Sequence, residues 1–321
     1  MTDLHETPAS DRKVDGRRRL GVVDRTGLGP VAGRARATRT ARTLQTAFAD
    51  IVGAGAASVG AAAAVLYNCG PVSLRVLLAS SAIIAAARCQ RGSECLVHEG
   101  SHFNWTRKTK VNDYLTNAFA AWPVGMTVAA FRDAHRRHHD QFGSELDPDF
   151  VRYAELRIEA IDVSGGIASM LRSCAKLMPK YTLGWIRAAG MNKAGLAGLL
   201  GWQALTAGAI SVVFGPHLAI GGLVAWAFSF LIVLPIVRFM GEAEEHTYTG
   251  ASTVAEATVS NIGKLDRILV HPHGDGYHVA HHIWPQIPHH ALPAFHRHAA
   301  TLDPLGFGST KTARRFRRSE L

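Results

Sequence analysis

Four apolar runs dominate the hydropathy pattern: Thr46 to Leu66, Val72 to Ala87, Leu196 to Phe214 and Leu218 to Met240. Each approaches the ~20 residues that a helix needs to cross a bilayer. Asn68-Cys69-Gly70-Pro71 separates the first pair and Gly215-Pro216-His217 the second. Turns this short leave no room for anything but antiparallel neighbours, so the pattern predicts two helical hairpins. Between the pairs, Tyr114 to Phe131 is amphipathic, with Leu115, Phe119, Trp122, Val124, Met126 and Val128 spaced for one face. It reads as a helix lying along the interface rather than crossing it. Asp147-Pro148-Asp149 reads as a turn, and Asp140 to Ala194 as several short helical pieces.

Residues 1–43 differ in kind. They are polar and nearly free of aromatics, with Arg17-Arg18-Arg19 followed by Arg34, Arg36, Arg39 and Arg42. Such a composition predicts a disordered basic tail, too polar for a cleavable signal peptide. The organisation that follows is a tail at 1–43, a membrane domain at 44–302 and a second basic tail at 303–321.

Charge orients the hairpins. The two short turns carry no Lys or Arg, whereas the N-terminal stretch, the middle segment and Arg314-Arg315-Phe316-Arg317-Arg318 are rich in them. The positive-inside rule puts the turns outside and both termini in the cytoplasm. The formal charge of +10 beside 47% hydrophobic residues fits a membrane protein with basic loops. No zinc finger, basic recognition helix or aromatic RNA-binding motif accompanies that charge, so nucleic acid is not an expected partner. The four cysteines, Cys69, Cys89, Cys95 and Cys174, show no C-x-x-C spacing, which excludes a built-in iron–sulfur carrier. The Ala-, Gly- and Arg-heavy composition points to a GC-rich bacterial genome, and hence to the plasma membrane.

The chemistry lies in the histidines. His135-Arg136-Arg137-His138-His139 and His278-Val279-Ala280-His281-His282 repeat one pattern, and His98-Glu99-Gly100-Ser101-His102 is a shorter relative. Residues three and four apart share a helix face, so each box can aim its imidazoles at one point. Neutral imidazole suits iron, zinc, copper or nickel. The boxes offer eight such donors, and His246 in Glu244-Glu245-His246 a ninth. One zinc takes four ligands; eight or nine suit two adjacent ions. All three boxes are expected on the cytoplasmic side, outside the spans. Glu99, Asp140, Glu245 and Asp275, with Glu242, are the carboxylates placed to hydrogen-bond the outer ring nitrogens. His271 and His273 either support the ligands in this way or face the substrate. His5, His217, His289, His290, His296 and His298 are assigned no role. Arg107, Lys108, Lys110, Arg132, Arg136 and Arg137 either hold a phosphate or follow from topology alone. A metal transporter would place its ligands inside the spans, where Asp50 is nearly the only candidate.

These motifs resemble the membrane fatty acid desaturase superfamily. The likeness runs through His98-Glu99-x-x-His102, Asn112-Asp113-x-x-x-Asn117 with Pro123-x-Gly125, Arg132-x-x-His135-x-x-His138-His139 and Gly143-x-Glu145-x-Asp147-Pro148-Asp149. It continues with Arg238 before Glu245-His246, then Tyr277-His278-x-x-His281-His282-x-x-Pro285-x-x-Pro288 and Leu292-Pro293. The chain departs at His273-Gly274-Asp275-Gly276, where relatives often carry Asn. The resemblance implies a pair of irons held by His98, His102, His135, His138, His139, His246, His278, His281 and His282. It further implies O2 as co-substrate and an acyl chain, lipid-, carrier- or CoA-linked, as the target of desaturation. Hydroxylases, ketolases and acetylenases belong to the same superfamily and are the alternative. Two electrons would come from a separate ferredoxin- or cytochrome-type donor and its reductase. The fold expected from hydropathy and resemblance together is all-α, with four membrane-spanning helices as two hairpins and a cytoplasmic helical cap holding a dimetal site.

Overall fold

The computed structural model describes residues 25–161, 166–188, 191–310 and 312. Among them the chain is all-α, and its extended pairings are two isolated bridges, His246 with Thr258 and Ser260 with Thr312. The helices are α1 (Arg25–Leu66), α2 (Val72–Ser101), α3 (Thr109–Thr116), α4 (Val128–Asp140), α5 (Pro148–Leu156) and α6 (Gly166–Ala188). They continue with α7 (Lys193–Phe214), α8 (Pro216–Phe228), α9 (Leu234–Glu242), α10 (Val254–Ala257), α11 (His278–Ile283) and α12 (Leu292–Leu302).

Four segments are long and apolar enough to span a bilayer: Ala37–Leu66, Val72–Ser101, Lys193–Phe214 and Pro216–Glu242. Their outer faces leave Leu77, Val212, Ile220 and Leu231 exposed, Val212 to 88%. So much unpartnered aliphatic surface on long helices is stable against lipid and unfavourable in water. This is an integral membrane protein. Gly215, at φ 87°, turns the second hairpin, and Pro216 starts α8 where a missing N–H costs nothing. The fourth span passes through a π-turn at Ser229–Val233 just before Pro235, which cannot donate to the preceding turn.

Three expectations about element boundaries change. The basic stretch ahead of the first span is helical from Arg25, and it is packed. Ala35 and Thr43 are buried, and the Thr40 hydroxyl donates to the Trp105 carbonyl at 2.5 Å. An alternation of Arg with Ala and Thr looks like a solvated tail until a partner covers its small residues. Tyr114 to Phe131 is not one helix: α3 gives way to a π-turn at Asn117–Ala121 and a 3-10 turn at Trp122–Val124, which Gly125 closes at φ 75°. Gly125 and Trp122 pack so closely on Gly195 and Gly198 of α7 that a Cβ at either α7 position would collide. At the C-terminal end Phe307 is 1% exposed inside the core, so packed structure continues beyond Leu302. Arg314 to Arg318 and residues 1–24 lie outside the described residues.

Two cores hold the polar cap on the spans. One gathers Leu96, Trp105, Met126, Tyr181, Trp185 and Phe239; the other gathers Tyr277, Val279, Ile287, Leu292, Phe295 and Phe307, with Ala35 of α1. Arg238 of α9 pairs with Glu94 of α2, both buried, at 3.0 and 3.1 Å from Nε, and its guanidinium stacks 3.3 Å over Trp185. The helix ends that carry the histidines are therefore tied to the spans.

Candidate dimetal centre

Box one is an extension of the second span. His98 lies inside α2 and His102 caps its end, so this box is continuous with the span instead of lying outside it. Box two fills the last turns of α4, and box three is α11 almost entirely. His246 follows α9 by one turn and bridges Thr258.

The boxes sort into two halves. His98, His102, His135, His139 and His281 bring ring nitrogens within 4.8 Å of one another. His135 Nε2 meets His98, His102 and His139 at 2.9, 2.8 and 3.0 Å, and His139 meets His281 at 3.3 Å. The other half is His138, His246 and His282 with His278. His138 meets His282 at 3.3 Å, His282 meets His278 at 3.1 Å, and His278 meets His246 at 3.2 Å, all through Nε2. Each His-x-x-His-His box divides in the same manner. Its first and last histidines, one helical turn apart, serve one half, and the middle one serves the other. Box two contributes His135 and His139 to the first half and His138 to the second; box three contributes His278 and His282 to the second and His281 to the first.

Among the described residues, nine imidazoles meet one another nitrogen to nitrogen at these distances, and His135 Nε2 meets three of them at once, more than one ring N–H can serve. A cation in each half would account for it, and imidazole donors fit a transition metal. The protonation states suit it too. Burial first, then the neighbouring imidazoles, holds His102, His135, His139, His246, His281 and His282 well below the ordinary histidine range. Burial takes His278 to about 3. Neutral rings with free lone pairs are what a metal needs. His138 goes the other way: burial would lower it, but Asp149 and Asp147 outweigh burial and raise it.

Of the expected carboxylates, only some reach the ligands. Among the described residues, the acids within 3.5 Å of a ligand's Nδ1 are Asp147 and Asp149 on His138, at 2.9 and 3.5 Å, and Asp275 on His98, at 3.4 Å. Asp147 is fully buried, and it also accepts from the Gly143 and Asp149 amides at 2.8 and 2.9 Å. Its acceptance of the Nδ1 proton turns His138 Nε2 toward the centre. Sequence reasoning placed it in a turn and in the motif Gly143-x-Glu145-x-Asp147-Pro148-Asp149 but gave it no role; nine positions from His138, it carries no helical spacing signal. Glu99 points elsewhere. It accepts from the His289 amide at 2.8 Å, and Asn104 at 3.5 Å also donates to the Pro285 carbonyl at 2.9 Å, so Glu99 clamps the loop after box three. Asp140 is exposed on a cleft wall. Glu245 Oε2 is 4.0 Å from His278 Nε2. Burial, with Asp275 beside it, pushes the Glu245 carboxyl well above its usual range, while Arg91 overcomes burial to hold Asp275 well below.

The histidines left open find places nearby. His271 is fully buried, 3.7 Å from Glu245 and 3.5 Å from Asp275. His273, at φ 60°, pairs with Asp50 at 2.5 Å, and Arg88 meets the same carboxylate at 2.6 Å. The single acid in the first span thus anchors the loop that leads to box three.

Two cavities flank the centre. A cleft of about 910 Å³ opens onto His102, His135, His139 and His282, with Phe103, Phe142 and Tyr248 among its walls. Arg132 on its edge is fully engaged, stacked 4.1 Å over Phe103 and bonded to Asp113, Ser101 and Gly100. A second cavity of about 90 Å³ lies on the other side, against His98, His138 and His278.

Four spans under a helical cap, with nine histidines in two adjoining groups, define a membrane-embedded histidine-box protein. The fatty acid desaturase family model matches residues 71–309, and the chain belongs to that family. No curated protein matches it.

Proposed function

We propose that the protein is an O2-dependent di-iron desaturase that introduces a double bond into an acyl chain carried on a lipid, a carrier protein or coenzyme A. The observation that carries this is the five-and-four sorting of nine imidazole Nε2 atoms. The nine histidines would hold two iron ions, which supply the redox chemistry with O2 that removes hydrogen from an unactivated C–H bond. The balance is CH2–CH2 with O2, two electrons and two protons giving CH=CH and two waters. The electrons come from a separate ferredoxin- or cytochrome-type protein with its reductase, since the cysteines are unsuited to a cluster.

The chain's own residues bind and orient. Asp147 and Asp275 keep His138 and His98 turned inward. The cleft, at about 910 Å³, has room for an acyl chain beside His102, His135, His139 and His282. Phe103, Phe142 and Tyr248 give it apolar walls that exclude water from the C–H bond. With the basic segments inside, the cap and this centre face the cytoplasm of a bacterial cell.

The test compares lipids and thioesters, by mass spectrometry, from cells expressing the wild type or His281→Ala with a compatible donor. A product lighter by two hydrogens, found only with the wild type, is expected. One heavier by an oxygen would make the protein a hydroxylase. Normal turnover by His281→Ala would sink the assignment of the site.

A further inference from the structure

The two halves of the centre are unequal: one collects five imidazoles, the other four. A largely covered carboxylate, its side chain 13% exposed, stands beside the poorer half. Glu245 Oε2 lies 4.0 Å from His278 Nε2, the ring atom that also meets His246 at 3.2 Å and His282 at 3.1 Å. Donors on one ion, with bonds of about 2.0–2.2 Å, are separated by about 2.9 Å when adjacent and about 4.2 Å when opposite. The spacing of Glu245 falls inside that range.

The other carboxylate oxygen is held away from the centre. Oε1 lies 3.9 Å from Arg91 and 3.7 Å from His271 Nδ1. Arg91 also holds Asp275 at 2.7 Å, and the second oxygen of Asp275 is 3.4 Å from His98 Nδ1, on the outer edge of that ring. One arginine thus holds two largely covered acids, one against each half. Asp275 stands behind a ligand of the five-imidazole half; Glu245 stands on the metal-facing side of a ligand of the four-imidazole half. Resting on the dimetal reading above, we propose that Glu245 is the fifth donor of the second half, with Arg91 as its positioning residue. Both halves then have five donors. Nine neutral imidazoles leave the charge of two divalent ions unbalanced, and a Glu245 carboxyl that gives up its proton when the metal binds offsets part of it.

The experiment is a Co2+ titration of purified, chelator-stripped protein in detergent, followed by visible absorption. His246→Ala and His102→Ala first identify the bands belonging to each half. Glu245→Gln should weaken one site at least tenfold and alter the band lost in His246→Ala, leaving the band lost in His102→Ala intact. Arg91→Met, which releases Asp275 as well, should alter both bands, and Arg91→Lys should restore much of both. Two ions bound by Glu245→Gln with wild-type affinity and spectrum would overturn the proposal, as would loss of the other band. If Glu245→Gln does not fold, infrared difference spectra of the wild type and Glu245→Asp on metal loading decide. A wild-type carboxylate stretch that moves on loading, and moves differently in Glu245→Asp, supports ligation; identical spectra overturn it. A wild type that binds no pair of ions would instead refute the dimetal reading itself.

Discussion

At the scale of the residue, the centre is a balance between burial and charge. Seven of the nine clustered histidines, His102, His135, His139, His246, His278, His281 and His282, are kept neutral by burial and by one another. In the unfolded chain each would take up a proton near pH 6.5. The unfolded state therefore binds more protons as the pH falls below that value, and the metal-free protein loses stability. The loss is about 1 kcal/mol for each such histidine at pH 5.5, less where neighbours interact. His138 opposes the trend: its raised value contributes stability below pH 6.5 that disappears as the pH rises through it. Seven outweigh one. The apparent melting temperature of stripped protein should fall between pH 7.5 and 5.5; a flat or rising profile would show that these rings are not buried and neutral.

At the scale of the element, α1 is more than a span. Its first turns reach out of the apolar region and pack on both cores through Ala35 and Leu44, with Thr40 bonded to Trp105. Burial of one methyl contributes about 0.8 kcal/mol and a hydrogen bond about 1 kcal/mol. Removal of residues 1–43, which takes away Ala35 and Thr40, should thus cost about 2 kcal/mol and lower the melting temperature by roughly 4 °C. A chain lacking only residues 1–24 keeps all of these contacts and serves as the control. Equal melting temperatures for the two truncations would show that the helical extension is a passive segment. The close seat of Gly125 and Trp122 on Gly195 and Gly198 shows the same principle: an amphipathic stretch breaks where glycines let backbones approach.

At the scale of the whole molecule, the hairpin turns provide a direct test of orientation. Cys69 is exposed in the turn between α1 and α2, whereas Cys95 and Cys174 are buried. A membrane-impermeant maleimide should label Cys69 on intact cells and lose its target in Cys69→Ser. Labelling that requires broken cells would invert the topology and put the cap, with its histidines, outside.

Much of this molecule was legible in its sequence because the signals are local. Four apolar runs, two turns without charge and the i, i+4 histidines follow from helix geometry and from the cost of exposing backbone to lipid, and neither depends on distant partners. The number of spans and the all-helical class come from such local rules, whereas the second span runs on to Ser101, past the apolar run that ends at Ala87. What tertiary structure alone decided is which side chain meets which. Histidines adjacent in sequence, such as His138 and His139, go to different halves because the crossing of α2, α4 and α11 sets where each ring points. Glu99, one residue from a ligand, serves a loop, while Asp147, nine residues from His138, holds its ring. Asp140 stays in the cleft wall, and Arg91, 184 positions from Asp275, joins it. A hydrogen bond to a buried ring depends on direction and distance after packing, and sequence separation encodes neither.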